Sequence, residues 1–179
     1  MSGYMSNKKL AMQFDIMSYG TGNRVKLPGP SFDKFNAYEF EATTYDFIYK
    51  DLRKKDVKLY TQNGLLYMLD RNRGIKPSPQ KFQKADEEFD IILCLEERVY
   101  DQVLLFLQNR VPLSGERAHV INIDIKDNPK EAAVGAELVT NLCQKLEESF
   151  DVDHEIDDIL TDFEARNQDR NLINTVVFY

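Results

Sequence analysis

Tryptophan is absent from these 179 residues, and histidine and cysteine occur twice each. Cys94 and Cys143 form neither a C-x-x-C pair nor a metal-ligand spacing, and His119 and His154 stand far apart with no cysteine beside them. A zinc centre therefore has almost no material, and no metal or cofactor is expected. Both cysteines read as small buried hydrophobes. No run approaches the ~20 apolar residues that cross a bilayer, so no membrane partner is expected. Met1 to Lys9 has no apolar stretch behind its positive charges, which argues against a secretory signal and for an intracellular protein. Internal repeats, low-complexity tracts and flexible linkers are also missing. Residues 1–179 thus read as a single domain, long enough to bury roughly 70% of the surface an unfolded chain exposes.

What is present is charge, unevenly spread. The net charge is −7, but residues 1–89 carry 15 basic and 11 acidic groups, and residues 90–179 carry 8 and 19. An acidic whole disfavours direct binding to nucleic acid, while the basic first half can receive an anionic ligand such as a phosphopeptide. Solvated faces without a partner explain the charge equally well.

Four stretches read as strands: Phe14 to Tyr19, Phe89 to Leu95, His119 to Asp124 and Thr175 to Tyr179. The middle two are nearly continuous β-rich apolar runs, as in strands covered on both faces. Between them lie helical stripes: Phe40 to Leu52, Val99 to Leu107, Ala132 to Leu146 and Ile156 to Phe163. The third opens on Asn128-Pro129-Lys130-Glu131, an N-cap, an N1 proline and a capping-box glutamate. Alternating strands and helices predict a doubly wound, mostly parallel α/β sheet with ligands at the carboxyl ends of the strands. Arg71 to Lys84, with two prolines, a glycine and several basic residues, reads as a surface connector or a phosphate-attracting rim.

Local chemistry is sparse. Asp127 lies where the strand ending at Asp124 gives way to a helix, and an aspartate there serves as a cap more often than as an acid catalyst. Gly20 to Pro30 combines glycines, two basic side chains and stiff prolines that could line a peptide groove. It matches neither G-x-x-x-x-G-K-[ST] nor G-x-G-x-x-G. Tyr60 to Gly64 reads as a turn into the apolar helix that begins near Leu65.

Longer strings carry more. SYGTG with VKLPGP (Ser18 to Pro30), LYTQNGLLYMLDRN (Leu59 to Asn72), FDIILCLEERVYDQV (Phe89 to Val103), HVINIDIKDN (His119 to Asn128), HEIDDILTDFE and a terminal VVFY appear in order. Together they closely resemble the RNA polymerase II C-terminal-domain serine phosphatase family, which associates with symplekin in pre-mRNA 3′-end processing. The resemblance implies a fold like the low-molecular-weight tyrosine phosphatases, a nuclear location, and a phosphorylated C-terminal domain as substrate, from which phosphate is removed at the fifth-position serine of its heptad with a preference for a cis Ser-Pro bond. It implies a thiolate in a C-x5-R loop that attacks phosphorus, loop amides and an arginine that hold the oxygens, and an aspartate that protonates the leaving serine. The motif D-I-x-D-N maps that acid onto Asp127. Lys26, Pro28, Pro30, Tyr60, Asn63 and Met68 fall where the family's peptide groove lies.

One part of the pattern is missing. The family's chain opens with an apolar strand running into C-S-S-N-x-N-R-S and a helix, before the strand ending in S-[FY]-G-T-G. Here that later strand is within the first twenty residues, and residues 1–13 can match at most the intervening helix. Six positions after Cys94 stands Tyr100, and six after Cys143 stands Ser149, so no C-x5-R occurs. The expectation is an N-terminally incomplete member without its first central strand or nucleophile, inactive as written. In a 2-1-3-4-5 order, strand 2 then loses its partner and strand 3 one of its ladders. The alternative expectation is a non-catalytic paralogue that binds or scaffolds within the same complex.

Overall fold

The computed structural model describes residues 14–31, 33–126 and 128–179. The chain packs as two compact units, one of residues 19–85 and one of residues 86–179 joined by the segment ending at Ser18.

The first unit is built on a hairpin of β1 (Val25–Ser31) and β2 (Lys34–Tyr38), paired antiparallel with Leu27 opposite Asn36 and Pro28 opposite Phe35. The register shifts between Pro28 and Ser31. Gly29 is required there, because a Cβ on it would stand 1.7 Å from the Lys34 carbonyl oxygen. Prolines at positions 28 and 30 are tolerated because the ribbon has only two strands, leaving β1 an edge without a second ladder. Helix α1 (Tyr45–Gln62) starts where the Thr44 hydroxyl accepts from the Phe47 amide, and it buries Tyr45, Ile48, Leu52 and Tyr60. It breaks at Asp56 (φ −162°, ψ 94°), whose carboxylate accepts from the Leu59 amide and so caps the second segment. Helix α2 (Leu65–Arg73) follows after the turn at Asn63 and Gly64, burying Leu65, Leu66 and Leu69. The basic stretch from Arg71 is therefore partly helical rather than wholly a surface connector. Its remainder is pinned by Tyr45 N to Pro77 O (2.9 Å), Glu41 N to Pro79 O (2.8 Å) and Gly20 N to Gln80 O (2.9 Å), before a short 3-10 turn at Phe82–Lys84.

The second unit has the layered α/β form that alternation predicts. Its sheet, in the order β3 (Ile91–Cys94), β4 (Arg117–Ile123), β5 (Leu172–Phe178), pairs β3 with β4 in parallel and β4 with β5 antiparallel. β4 is buried from Ala118 to Ile123, as its unbroken apolar run implies. Ile121 and Ile123 pack against α4 (Pro129–Glu148) and α5 (Val152–Arg166) through Val139, Leu142, Leu146, Ile156, Leu160 and Phe163. Helix α3 (Glu97–Gln108), with Tyr100, Val103 and Leu107 buried, packs against β4 and β5. The Tyr100 and Thr175 hydroxyls meet at 2.6 Å.

Two expectations need correction. Phe14 to Tyr19 is not a strand: the segment joins no ladder among the described residues, and an extended chain without a ladder gains nothing from its backbone groups. Phe14 instead packs on the core cluster that includes Ile121 and Ile123. The hairpin is the second, since Gly20 to Pro30 reads locally as loop. The helix expected over residues 1–13 lies outside the described residues.

Candidate functional site

Each of the expected peptide-groove residues belongs to the first unit. Alternation along β1 turns Leu27 inward and leaves Lys26, Pro28 and Pro30 exposed on the outer face. Across the ribbon from Pro28 stands Phe35, 55% exposed, with the Lys26 ammonium 4.8 Å from its ring centroid. The outer face is thus a stiff apolar surface carrying a cation, suited to a proline-containing anionic chain.

The inner face holds that surface in place. Asn36, nearly buried, donates through Nδ2 to the Pro28 carbonyl (3.0 Å) and the Tyr60 hydroxyl (2.9 Å), and its Oδ1 accepts from Lys55 Nζ (3.0 Å). Lys55 also pairs with Asp51 at 2.7 Å, and Asp51 accepts from the Tyr38 hydroxyl at 2.6 Å. Burial, with the Asp51 carboxylate beside it, pushes the Tyr38 phenol well above its ordinary value, so it remains a donor. Tyr60 is 2% exposed and so acts from beneath the hairpin rather than as a groove wall. Asn63 closes α1, its amide bonded to the Leu59 carbonyl and its side chain accepting from the Leu65 amide at 3.1 Å. Met68 is half-buried on α2. Among the described residues no hydrogen bond joins Asn63 or Met68 to the hairpin. Sequence reasoning missed Phe35 and Asn36, although the alternation in Lys34-Phe35-Asn36-Ala37-Tyr38 was a usable signal.

In the second unit the carboxyl end of β4 is tied down from several sides. Asp127 itself lies outside the described residues, but its neighbours do not. The Asp124 carboxylate accepts from Asn122 Nδ2 and from the Glu97 amide at the start of α3, both at 3.0 Å. The Ile125 amide donates to the Leu95 carbonyl at 3.1 Å. Gly135 leaves room for Ile125 against α4, since a Cβ there would stand 2.6 Å from Ile125 Cγ2. Asn128 caps α4 as expected, accepting from the Glu131 amide at 3.0 Å. The capping box is not closed, because the Glu131 carboxylate takes Arg170 Nη2 at 2.8 Å instead. That guanidinium holds the Glu131 carboxyl below its ordinary value, and Arg170 Nη1 also donates to the Asp124 carbonyl at 3.2 Å.

Neither cysteine can act as a nucleophile where it stands. Burial pushes the Cys94 thiol up to about 12, and burial with the nearby Glu147 charge pushes Cys143 up to about 11. A thiol held there is neutral at physiological pH and unreactive. Among the described residues no cluster of His, Cys, Asp and Glu could hold a metal ion. No helix there is long and apolar enough to cross a membrane.

Comparison with known proteins bears on the whole chain. The model of the Ssu72-like protein family matches residues 5–179. The RNA polymerase II C-terminal domain phosphatase ssup-72 of Caenorhabditis elegans is 60% identical over 166 residues, covering 93% of this chain and 84% of that protein. The human RNA polymerase II C-terminal domain phosphatase SSU72 is 51% identical over the same length and shares. A solved Drosophila melanogaster structure holds Ssu72 and symplekin bound to a cis peptidomimetic CTD peptide phosphorylated on its fifth-position serine. It superposes with a TM-score of 0.86 at 46% identity, over 90% of this chain and 83% of that one.

Proposed function

The chain belongs to the Ssu72-like family, and from that premise we propose that it serves in removing phosphate from the fifth-position serine of the RNA polymerase II C-terminal-domain heptad. Its setting is then the nucleus, in transcription and mRNA 3′-end processing. The observation that carries this reading is the outer face of the hairpin, where Lys26, Pro28, Pro30 and Phe35 set a cation beside apolar, conformationally stiff walls. A phosphorylated Ser-Pro chain needs that combination. Tyr60 supports this face through Asn36, while Asn63 and Met68 form the turn and helix beyond it. Asp127, in the segment between Asp124 and Glu131, is the general acid that hands its proton to the serine oxygen as the phosphorus–oxygen bond breaks.

The attacking thiolate is not among residues 1–179, which contain no C-x5-R. Turnover thus requires a loop from outside these residues, and the 179 residues supply substrate recognition and the acid. We expect no thiol-dependent phosphate release by the purified 179-residue chain from a heptad peptide phosphorylated on its fifth-position serine. The intact mass of the protein in its own cells separates the two readings. A species heavier than 20.8 kDa with a C-x5-R peptide supports the phosphatase. A mass equal to these residues supports the alternative, a binding protein of the 3′-end complex. Inhibitor-sensitive turnover by the 179-residue chain itself would overturn the division of labour.

A symplekin-like scaffold is the proposed partner, as the Drosophila relative assembles with symplekin. The surface proposed for it on the second unit is the groove of Leu107, Arg110, Pro112, Val176 and Phe178, beside Val111 and Leu113, which are 78% and 93% exposed. Exposed apolar side chains beside β5, an edge strand among the described residues, suit a stable partner.

A further inference from the structure

The chain running from the end of β4 into α4 is pinned at two points with little slack between them. The Ile125 amide donates to the Leu95 carbonyl at 3.1 Å, and the Asn128 side chain caps α4 through the Glu131 amide at 3.0 Å. Only positions 126 and 127 lie between. The Asn128 amide donates to the Lys126 carbonyl at 2.8 Å, so the chain turns back tightly there. The helix offers that amide a rival acceptor. A glutamate at the third position of a helix can reach back to the cap amide and close a capping box, and Glu131 stands at that position.

Arg170 takes Glu131 away from that role. Its Nη2 donates to the Glu131 carboxylate at 2.8 Å and its Nη1 to the Asp124 carbonyl at 3.2 Å, so one planar guanidinium joins a residue before the turn to a residue after it. The arginine's own place is fixed. Ile123 pairs with Leu172, so two residues beyond each of them Arg170 comes level with Ile125. The Arg170 amide donates to the Asn167 carbonyl at 2.8 Å and the Leu172 amide to the Glu164 carboxylate at 2.7 Å, which ties this turn to α5. The Arg170 side chain is only 11% exposed. A guanidinium this far from water gains little net stability from its partners, and what the pairing supplies here is geometry.

We propose that Arg170 is a positioning residue for the acid step: by tying Glu131 to the Asp124 carbonyl it keeps that carboxylate off the Asn128 amide, and so keeps closed the turn that carries Asp127. Without Arg170 the Glu131 carboxylate captures the Asn128 amide, the Lys126 carbonyl loses its donor, and the turn opens. The inference rests on the reading of Asp127 as general acid given above. Position matters to such a group, since a displacement of about 1 Å from the reacting atom lowers a rate by about a hundredfold.

Amide chemical shifts of the 179-residue chain read the turn itself. In Arg170→Gln the Asn128 resonance should move, and in Arg170→Gln/Glu131→Ala it should return toward its parent position, because the rival acceptor is gone. Arg170→Lys, still able to pair with Glu131, should leave it near the parent position. An unmoved Asn128 resonance in Arg170→Gln, or a movement that Glu131→Ala does not reverse, overturns the inference. So does an Arg170→Lys variant that behaves like Arg170→Gln. The acid step is read in the form of the protein that carries a C-x5-R loop, as phosphoenzyme formation from aryl phosphates whose leaving phenols span a range of acidity. With the acid in place the rate should vary little across the series, whereas Arg170→Gln should slow the most basic leaving group about tenfold more than the most acidic. The double variant should restore the shallow dependence. Equal slowing across the series makes Arg170 a prop of the fold and overturns the inference, leaving Asp127 as the acid. If Asp127→Asn shows no such selectivity either, the acid reading falls and the inference with it.

Discussion

Residues 19–85 carry 13 basic and 7 acidic side chains, a net +6, whereas residues 86–179 carry 8 and 22, a net −14. The two units also differ in how they use backbone and core. The acidic unit spends its apolar residues on β4 and the α4–α5 layer and holds its strand ends with side-chain clamps such as Arg170 to Asp124 and Glu131. The basic unit presents a thin ribbon whose outer face is largely exposed, held from beneath by the hydrogen bonds of Asn36 and Tyr38 and by buried Leu27. The difference teaches a division of labour: one unit builds a framework that fixes the segment flanking Asp127, and the other offers surface to an anionic chain. Mutations should therefore divide into those that unfold and those that only unbind.

The largest effect is expected in the framework. Leu142 is fully buried in the core of the acidic unit, and Leu142→Ala should cost about 2–5 kcal/mol of stability in urea titration. A loss under about 1 kcal/mol would mean that this unit is less tightly built than described. Next comes Asn36→Ala, which removes the bonds to Pro28, Tyr60 and Lys55. It should cost about 1–3 kcal/mol and speed amide exchange in β1 and β2, with protection in β4 unchanged. Lys26→Ala should leave stability within about 0.5 kcal/mol of the parent while weakening phosphopeptide binding several-fold, the clearest case of unbinding without unfolding.

On acid the two units should agree. Glu131, Asp153 and Asp46 have carboxyls held below their ordinary values, chiefly by hydrogen bonds from Arg170, His119 and Lys50 respectively. A carboxyl depressed by folding contributes stability that is fully present above its unfolded value of about 4 and is lost as pH falls through the folded values. Unfolding midpoints should thus fall modestly as pH is lowered through and below about 4. A flat profile there would mean that these exposed pairs contribute nothing.

Much of the framework is legible because it rests on local rules. Asn128 before Pro129 announces the start of α4, the unbroken run from His119 announces the buried strand β4, and the stripes of α3 and α5 appear where their periodicity puts them. The hairpin is not legible in the same way, because Pro28, Gly29 and Pro30 read as loop, and only pairing with β2 makes them a strand. Family resemblance assigns Tyr60 to the groove, yet its burial depends on a tertiary contact with Asn36 that no local pattern encodes. Arg170 is invisible for the same reason, being 39 residues from the glutamate it binds. Conversely, Phe14 to Tyr19 has a strand's pattern but joins no ladder among the described residues.

The central claim is that residues 19–85 carry recognition of the phosphorylated chain. It is tested most directly by recording amide chemical shifts of the 179-residue chain as a heptad peptide phosphorylated only on its fifth-position serine is added. The account predicts that the largest shifts fall on residues 25–38, centred on Lys26, the neighbours of Pro28 and Phe35, and that they are lost in Lys26→Ala. Shifts confined to residues 86–179, or a response at the hairpin that is identical with the unphosphorylated peptide, would contradict it.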